Sequence, residues 1–288
     1  MIGLAVVTYK RIDYLRQCLE SLEKNNWGGA SVRVVIADEE RNDSYSSLGP
    51  LLGKAVFSFD KNKGVAVAKN RGLSYLLEAG CKHTFVMEND ITMVSPDTCQ
   101  AYIDYAKLSH VQHLNFAYHG PLNFPRQPHS YQGVCCHLDV TGAFAYNTRE
   151  ALEKVGLLDE HFHNAWEHVE HTFRMAKAGY TTPYYHFADM PNSTRYLREI
   201  DGSFAGSSIR DKAWEGGRDV NEGILWWTRK HGVFPPPGYE AWVKERGPDP
   251  PSVRVKQDLA APSSPNVMPQ SAHQPKLHPF LQRLMDSK

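Results

Sequence analysis

The chain of 288 residues has no net charge and no regular cysteine pattern. Its 32 basic and 32 acidic residues cancel, so no overall field favours nucleic acid or an anionic membrane, and a nucleic-acid partner would need a local basic patch. The five cysteines, of which Cys135 and Cys136 are adjacent, form neither a disulfide framework nor a spaced metal clip. They indicate a reducing compartment, and we predict a cytoplasmic protein.

Long hydrophobic runs are also missing from the sequence. No stretch approaches the roughly 20 apolar residues that span a bilayer. The apolar start at residues 1–7 has no basic leader and no cleavage site, and Tyr9, Lys10 and Arg11 interrupt it, which favours a first strand over a signal peptide. The sequence therefore predicts a soluble protein without a membrane span.

The order of apolar segments predicts an α/β fold. Short apolar runs typical of buried strands occur at residues 2–7, 32–37, 55–59 and 84–87. Helical spacing of apolar residues lies between them, most clearly at residues 65–78. Further helices are predicted at residues 96–108, 148–155 and 166–178, and further strands at residues 140–146 and 182–187. This alternation is typical of a mostly parallel, Rossmann-like sheet flanked by helices.

A change in composition predicts where the folded part ends. Residues 247–274, beyond a run of three prolines, are rich in Pro, Ser, Ala and Gln and have little apolar periodicity, which is typical of a linker or disordered tail. We predict one domain at residues 1–240, with halves at 1–108 and 109–240. Residues 241–288 would be a tail that could end in a short helix.

The most informative stretch is residues 83–94, where a predicted strand ends in Glu88, Asn89 and Asp90. Open α/β sheets bind ligands in the crevice at the carboxyl ends of their strands. Glu88 and Asp90 point the same way on an extended backbone, and such a pair can hold a hard divalent cation that also binds substrate phosphates. On its own, an E-x-D pair is more often two solvated acids at a turn.

Five segments taken together resemble glycosyltransferases of the GT-A fold, in particular the family 2 type that uses nucleotide sugars. They are VVTYKR (residues 6–11), IADEE (36–40), NKGVAVAKNRGL (62–73), VMEND (86–90) and the stretch that begins GAFAYNT and ends MAKAGY (142–180). Their order and spacing make the resemblance specific over residues 1–190. It implies a hexosyltransferase that uses a nucleotide diphosphate sugar, expected to be UDP-linked, and an acceptor hydroxyl, with inversion of configuration.

The resemblance also assigns residues to the donor nucleotide. Thr8, Tyr9 and Arg11 follow the first strand, where backbone groups and an aromatic face can receive a base. Asp38, at the end of the second strand, would accept a hydrogen bond from the ring N–H of that base. Alternatively, Tyr9 is a surface aromatic residue and Asp38 is a helix cap.

The 62–73 segment would lie near the pyrophosphate and the sugar. Gly64 permits close approach of the backbone, and Asn70 and Arg71 begin the polar face of a helix. Arg71 is favoured as the phosphate or sugar contact, whereas Lys69 is favoured as a solvated charge. A helix N-terminus near phosphate would assist either side chain.

The E-N-D triplet would hold Mn²⁺ or Mg²⁺ against the diphosphate, where the cation stabilises the leaving nucleoside diphosphate. The resemblance makes Asp90 the direct ligand. Glu88, in a place where the family usually has aspartate, would act through water or contact the sugar and ribose. His186, at the end of a late strand, would be the third ligand. Three other histidines are weaker metal candidates and favoured as structural: His83, His119 and His137.

The segment at residues 166–170 stands where the family carries a W-G-x-E-D or E-N-x-E pattern. Glu167, at a helix start, would take the proton from the acceptor hydroxyl, as inverting transfer requires. Glu170 follows one turn later and could orient the site instead. Because His168 replaces the acidic or amide residue usual there, the base is Glu167 or a neighbour.

Other functions and several acceptors stay open. Sugar-phosphate nucleotidyltransferases use a related sheet, but the TYKR loop lacks their glycine-rich, arginine-ended segment. A non-catalytic sugar-binding relative would fit the altered triplet. A glycan or another hydroxyl compound is the expected acceptor, and a hydroxymethylated nucleic-acid base is allowed but not favoured. The arginine-rich residues 193–218 could close over diphosphate or contact a nucleic-acid backbone.

Overall fold

The computed structural model describes residues 1–39, 43–52, 56–120, 129–137, 140–183, 187–203, 207 and 218–232. Eleven strands occur in this part of the chain: β1 (Ile2–Thr8), β2 (Val32–Ala37), β3 (Val56–Ser58), β4 (His83–Glu88), β5 (Ile91–Met93), β6 (His113–Asn115), β7 (His129–Tyr131), β8 (Val134–His137), β9 (Phe144–Thr148), β10 (Phe187–Asp189) and β11 (Leu197–Glu199). Seven α-helices accompany them: α1 (Ile12–Lys24), α2 (Asp43–Ser46), α3 (Val65–Glu78), α4 (Thr98–Ser109), α5 (Arg149–Val155), α6 (Glu167–Lys177) and α7 (Arg218–His231).

Six strands form the central sheet in the order β3-β2-β1-β4-β9-β6. The first four strands of this sheet are parallel, and β9 runs antiparallel between β4 and β6. Two small antiparallel sheets, β10-β8-β7 and β11-β5, accompany it. The predicted α/β fold with a mostly parallel sheet is confirmed.

Both faces of the central sheet are covered by helices. Leu4 and Val6 of β1 belong to a core shared with α1 and α4, whereas Ala5 and Val7 face α3 and α5 on the other side. Alternate residues of a strand point to opposite faces, so a strand buried on both sides needs an unbroken apolar run. This burial explains why the strands predicted from apolar runs agree within one residue at each end with β1, β2 and β4.

The parallel pairing brings the ends of three strands to one edge of the sheet. Thr8 lies opposite Ala37 of β2, and Val7 lies opposite Glu88 of β4. The residues that follow these strands, among them Asp38 and Asp90, therefore meet in the same region. This register makes neighbours of the sequence segments that follow β1, β2 and β4.

Several boundaries differ from the sequence prediction. The strand predicted at residues 140–146 lies at Phe144–Thr148, and α4 begins at Thr98 instead of Pro96. Residues 184–186, which include His186, lie outside the described residues, as do residues 204–206 and 208–217 of the arginine-rich segment and residues 233–288. The domain boundary at residue 240 and the tail therefore stay predictions. Among the described helices, none combines the length and the apolar character needed to cross a bilayer.

Candidate active site

An open cleft lies at the carboxyl ends of β1, β2 and β4. It holds about 510 Å³ of empty space, part of it open to solvent, and small-molecule sites typically measure about 300–1,000 Å³. Six of the residues selected from the sequence line this cleft: Thr8, Tyr9, Arg11, Asp38, Glu88 and Asp90. This edge of an open α/β sheet is where ligands bind.

The loop after β1 holds Arg11 in an unusual conformation. Lys10 and Arg11 both have positive φ, 54° and 59°, which is uncommon for residues with a Cβ. The turn directs the Arg11 guanidinium to Asp90, with Nη1 3.2 Å from Oδ2, and Nη2 donates to the Ser203 carbonyl at 2.7 Å. Such backbone strain around a buried charge is typical of functional sites.

Asp90 is 5% exposed and lies between the side chains of Arg11 and His119. Arg11 contacts Oδ2, and Nε2 of His119 lies 3.4 Å from Oδ1. Burial acts to raise the pKa of Asp90, but His119 and Arg11 outweigh it, and the pKa lies below its ordinary value. Burial acts to lower the pKa of His119, and Asp90 raises it above the ordinary value. His119, favoured as structural from the sequence, therefore belongs to the site.

Lys69 joins the donor and acceptor halves of the site. Its Nζ lies 2.7 Å from Oε1 of Glu88 and 3.1 Å from Oε1 of Glu167, and it donates to the Gly142 carbonyl at 3.0 Å. Burial acts to lower the pKa of Lys69, but Glu88 and Glu167 raise it above its ordinary value. Because Lys69 is only 4% exposed, the prediction of a solvated charge is wrong.

Glu167 begins α6 and is 3% exposed. Its Oε1 faces both Lys69 and Nδ1 of His168, the latter at 3.2 Å, and Nε2 of His168 donates to the Val140 carbonyl at 3.0 Å. Burial acts to raise the pKa of Glu167, but Lys69 and His168 hold it well below its ordinary range. The carboxylate is therefore kept ionised and fixed in place at one oxygen.

Asp38 uses its carboxylate to hold the turn before α3. Oδ1 accepts from the backbone N–H of Lys63 at 2.6 Å, and Oδ2 accepts from Gly64 N–H at 3.0 Å and from Asn62 Nδ2 at 2.8 Å. Burial raises the pKa of Asp38 to about 6, against the effect of these hydrogen bonds. The ring N–H of a nucleotide base would have to share the two Asp38 oxygens that already hold this turn.

Three further residues of the 62–73 segment serve the protein's own packing or face solvent. Gly64 has φ +97°, and a Cβ there would overlap His163. Asn70 donates to the Leu158 carbonyl at 2.9 Å and accepts from Leu158 N–H at 3.0 Å. Arg71 is exposed and does not line the cleft. The structure thus corrects the predicted donor contacts of Asn70 and Arg71.

Glu170 is a buried anchor for α7. Its carboxylate accepts from Arg174 Nε at 2.9 Å, and it pairs with Lys230 Nζ at 2.9 Å and His231 Nε2 at 3.0 Å. Arg174 also donates to the Val155 carbonyl at 2.6 Å. Because its side chain is fully buried and engaged by Arg174, Lys230 and His231, Glu170 holds α6 and α7 together, which corrects its prediction as a catalytic residue.

The surroundings of Asp90 fit a divalent cation that also binds phosphate. Oδ1 of Asp90 is buried and accepts no hydrogen bond from the described residues. The same part of the chain contains no group of three or more His, Cys, Asp or Glu side chains able to hold a metal ion. Such a group is not required, because a cation of this class often uses one or two carboxylates together with waters and substrate phosphates.

Comparison with known proteins identifies the fold. No protein-family model matches the chain, and no curated protein is significantly similar. The mannosyltransferase PcManGT from Pyrobaculum calidifontis, in complex with GDP-Man and Mn²⁺, is similar with a TM-score of 0.52 and 16% identity, over 85% of this chain and 68% of its own. TarS 1–349 from S. aureus, in complex with UDP-GlcNAc, has a TM-score of 0.50 and 12% identity, over 72% and 61%. The chain has the GT-A fold that its motifs predicted.

Proposed function

We propose that the protein is a metal-dependent glycosyltransferase that moves a hexose from a nucleotide diphosphate sugar to an acceptor hydroxyl. The observation that carries this proposal is the buried bridge of Lys69 between Glu88, beside the candidate metal residue Asp90, and Glu167 of the acceptor half. Two solved structures of similar fold contain nucleotide sugars, GDP-Man and UDP-GlcNAc, which supports the same class of donor here.

The donor would occupy the cleft at the strand ends. Thr8 and Tyr9 would receive the base, and Asp38 would accept from a ring N–H, for which a UDP-sugar is the first expectation. The Arg11 guanidinium, with several donors in a fixed fork, suits the diphosphate. Glu88 and Asp90 would hold Mn²⁺ or Mg²⁺, which when bound offsets the charge of the leaving nucleoside diphosphate.

Glu167 is the proposed base for an inverting transfer. Its contacts with described residues are made by Oε1, so Oε2 is the oxygen left to accept a proton from the acceptor hydroxyl. Lys69 and His168 would keep the carboxylate ionised before the reaction. Proton NMR of the first-formed product tests the stereochemistry, and a product with the anomeric configuration of the donor would contradict inversion.

A donor panel tests the function directly. UDP- and GDP-hexoses are incubated with glycans, other hydroxyl compounds and DNA containing hydroxymethylated bases, and release of nucleoside diphosphate is measured. We expect release that EDTA stops and Mn²⁺ restores. Release of pyrophosphate would instead indicate a nucleotidyltransferase, and glycan binding without donor binding would indicate a non-catalytic relative.

Asp90→Ala is expected to lower nucleoside diphosphate release at least about 100-fold, because a preorganised electrostatic group at the leaving diphosphate is lost. Hydrolysis of the donor without acceptor should fall in parallel. Asp104→Ala, which removes an exposed carboxylate on α4, is the matched control and should leave both rates unchanged. Full activity of Asp90→Ala would remove Asp90 from the metal site.

A further inference from the structure

The imidazole of His119 faces a carboxylate oxygen of Asp90 that accepts no hydrogen bond from the part of the chain that the structure describes. Nε2 of His119 lies 3.4 Å from Oδ1 of Asp90, and the two side chains are 5% and 6% exposed. Among the described residues, nothing donates to this buried oxygen. A charge-assisted hydrogen bond would be shorter, about 2.7–2.9 Å. Two ligand atoms that each lie about 2.1 Å from one cation, at right angles, are about 3.0 Å apart, which is close to the observed separation.

The surroundings of His119 orient its ring towards Asp90. Nδ1 lies 2.7 Å from Oγ1 of Thr141. When Nδ1–H donates to this hydroxyl, Nε2 keeps its lone pair, which is the arrangement that a metal-binding histidine needs. The next residue, Gly120, donates its N–H to Oε2 of Glu199 at 2.8 Å. Two contacts that do not involve Asp90 therefore hold the ring and the backbone next to it.

The same geometry distinguishes His119 from the other imidazoles near the site. His168 directs its two ring nitrogens to Glu167 and the Val140 carbonyl. His113 directs its ring nitrogens to Asn147 and Thr172. His119 is the histidine that the described residues place against the E-N-D triplet.

We propose that His119 Nε2 and Asp90 Oδ1 together ligate the divalent cation of the nucleotide-sugar site. This inference rests on the proposed function and extends it, because it replaces the histidine expected late in the domain with one that lies in the loop after β6. Glu88, held by Lys69, then contacts the cation through water or contacts the sugar. Nucleoside diphosphate oxygens and waters would supply the remaining ligands.

Pulsed EPR of Mn²⁺ bound to the full chain, in the presence of UDP or GDP, tests the assignment without relying on activity. A ¹⁴N hyperfine coupling from a coordinated imidazole is expected in the wild-type protein and is expected to disappear in His119→Ala. The Kd for Mn²⁺, measured from the EPR signal of the free ion, should rise at least about 10-fold in that variant. The control is His83→Ala, which removes an imidazole from the start of β4, the strand that ends at the E-N-D triplet. This variant should change neither the ¹⁴N coupling nor the Kd for Mn²⁺.

The outcomes separate the two proposals. Bound Mn²⁺ without ¹⁴N coupling in the wild-type protein would overturn the His119 assignment and leave the transferase proposal in place. Coupling that survives in His119→Ala would also overturn the His119 assignment, would point to another histidine, and would leave the transferase proposal in place. No binding of Mn²⁺ with either nucleotide would overturn both proposals. Absence of coupling in the wild-type spectrum overturns the assignment even where His119→Ala folds poorly, and loss of the coupling in His119→Gln, a second variant that keeps a polar side chain, supports it.

Discussion

Glu167→Gln is expected to lower kcat for sugar transfer by about 10²–10⁴-fold, the usual contribution of a positioned base. The amide has the size of the carboxylate and can still accept from Lys69 with its oxygen, but it cannot take a proton from the acceptor. Nucleoside diphosphate release with and without acceptor measures the transfer and the hydrolysis separately. Calorimetry measures the Kd of the donor, which should stay within a few-fold of the wild-type value.

The matched control for this variant is Glu150→Gln. Glu150 is exposed in the first turn of α5, as Glu167 is buried in the first turn of α6, so the same chemical change is made at a comparable helix position. Its kinetics should equal those of the wild-type protein. An equal loss of transfer, hydrolysis and donor affinity in Glu167→Gln would place Glu167 in donor binding and contradict its role as the base.

Lys69→Met is expected to have the second large effect, on stability as well as on transfer. Removing the buried ammonium leaves the carboxylates of Glu88 and Glu167 facing each other without their shared partner. Breaking a buried ion pair in this way typically costs about 3–5 kcal/mol, and we expect a loss at the lower end because Glu88 is partly exposed. Urea unfolding measures this free energy, and kcat should fall at least as far as in Glu167→Gln.

Lys69→Arg separates charge from shape. The guanidinium keeps the positive charge, so stability should recover more fully than transfer, because the larger group cannot make all three contacts of the ammonium. Lys107→Met, which removes an exposed lysine in the last turn of α4, should leave both properties unchanged. A Lys69→Met protein with wild-type stability and wild-type kcat would show that the bridge has no role.

Much of the fold could be predicted because its strands are buried on both faces. The bounds of β2 and α3 follow from apolar runs and apolar spacing alone, and polar residues at or just after the ends of β1, β2 and β4 line the cleft. Local pattern was sufficient here because register in a parallel sheet places successive strand ends together. Residues 110–139 have no regular apolar run or apolar spacing, so their elements could not be predicted in the same way.

The roles of Lys69 and Arg71 were exchanged in the sequence prediction, although the sequence holds a signal that separates them. Lys69 lies three residues after Ala66 and four before Leu73, so it shares their buried face of α3, whereas Arg71 lies about 200° around the helix from Lys69. The helical positions alone would have placed Lys69 against the sheet.

His119 and Glu170 could not be assigned from local sequence. Asp90 and His119 are 29 residues apart and meet only through the tertiary fold. Glu170 meets Lys230 and His231 of α7 about 60 residues later. Contacts between distant segments are fixed by packing, which hydrophobic periodicity does not report.

The segment that follows β11 determines how much of the chain is needed to complete the site at Asp90. Ile200 N–H donates to the Asp90 carbonyl at 2.9 Å, and the Ser203 carbonyl accepts from Arg11, so the backbone of residues 200–203 closes over the acidic triplet from more than 100 positions downstream. The motifs that resemble the GT-A family end near residue 190, before this segment. A shortened protein cut at that point would keep those motifs and lose the backbone contacts that hold Asp90 and its partner Arg11.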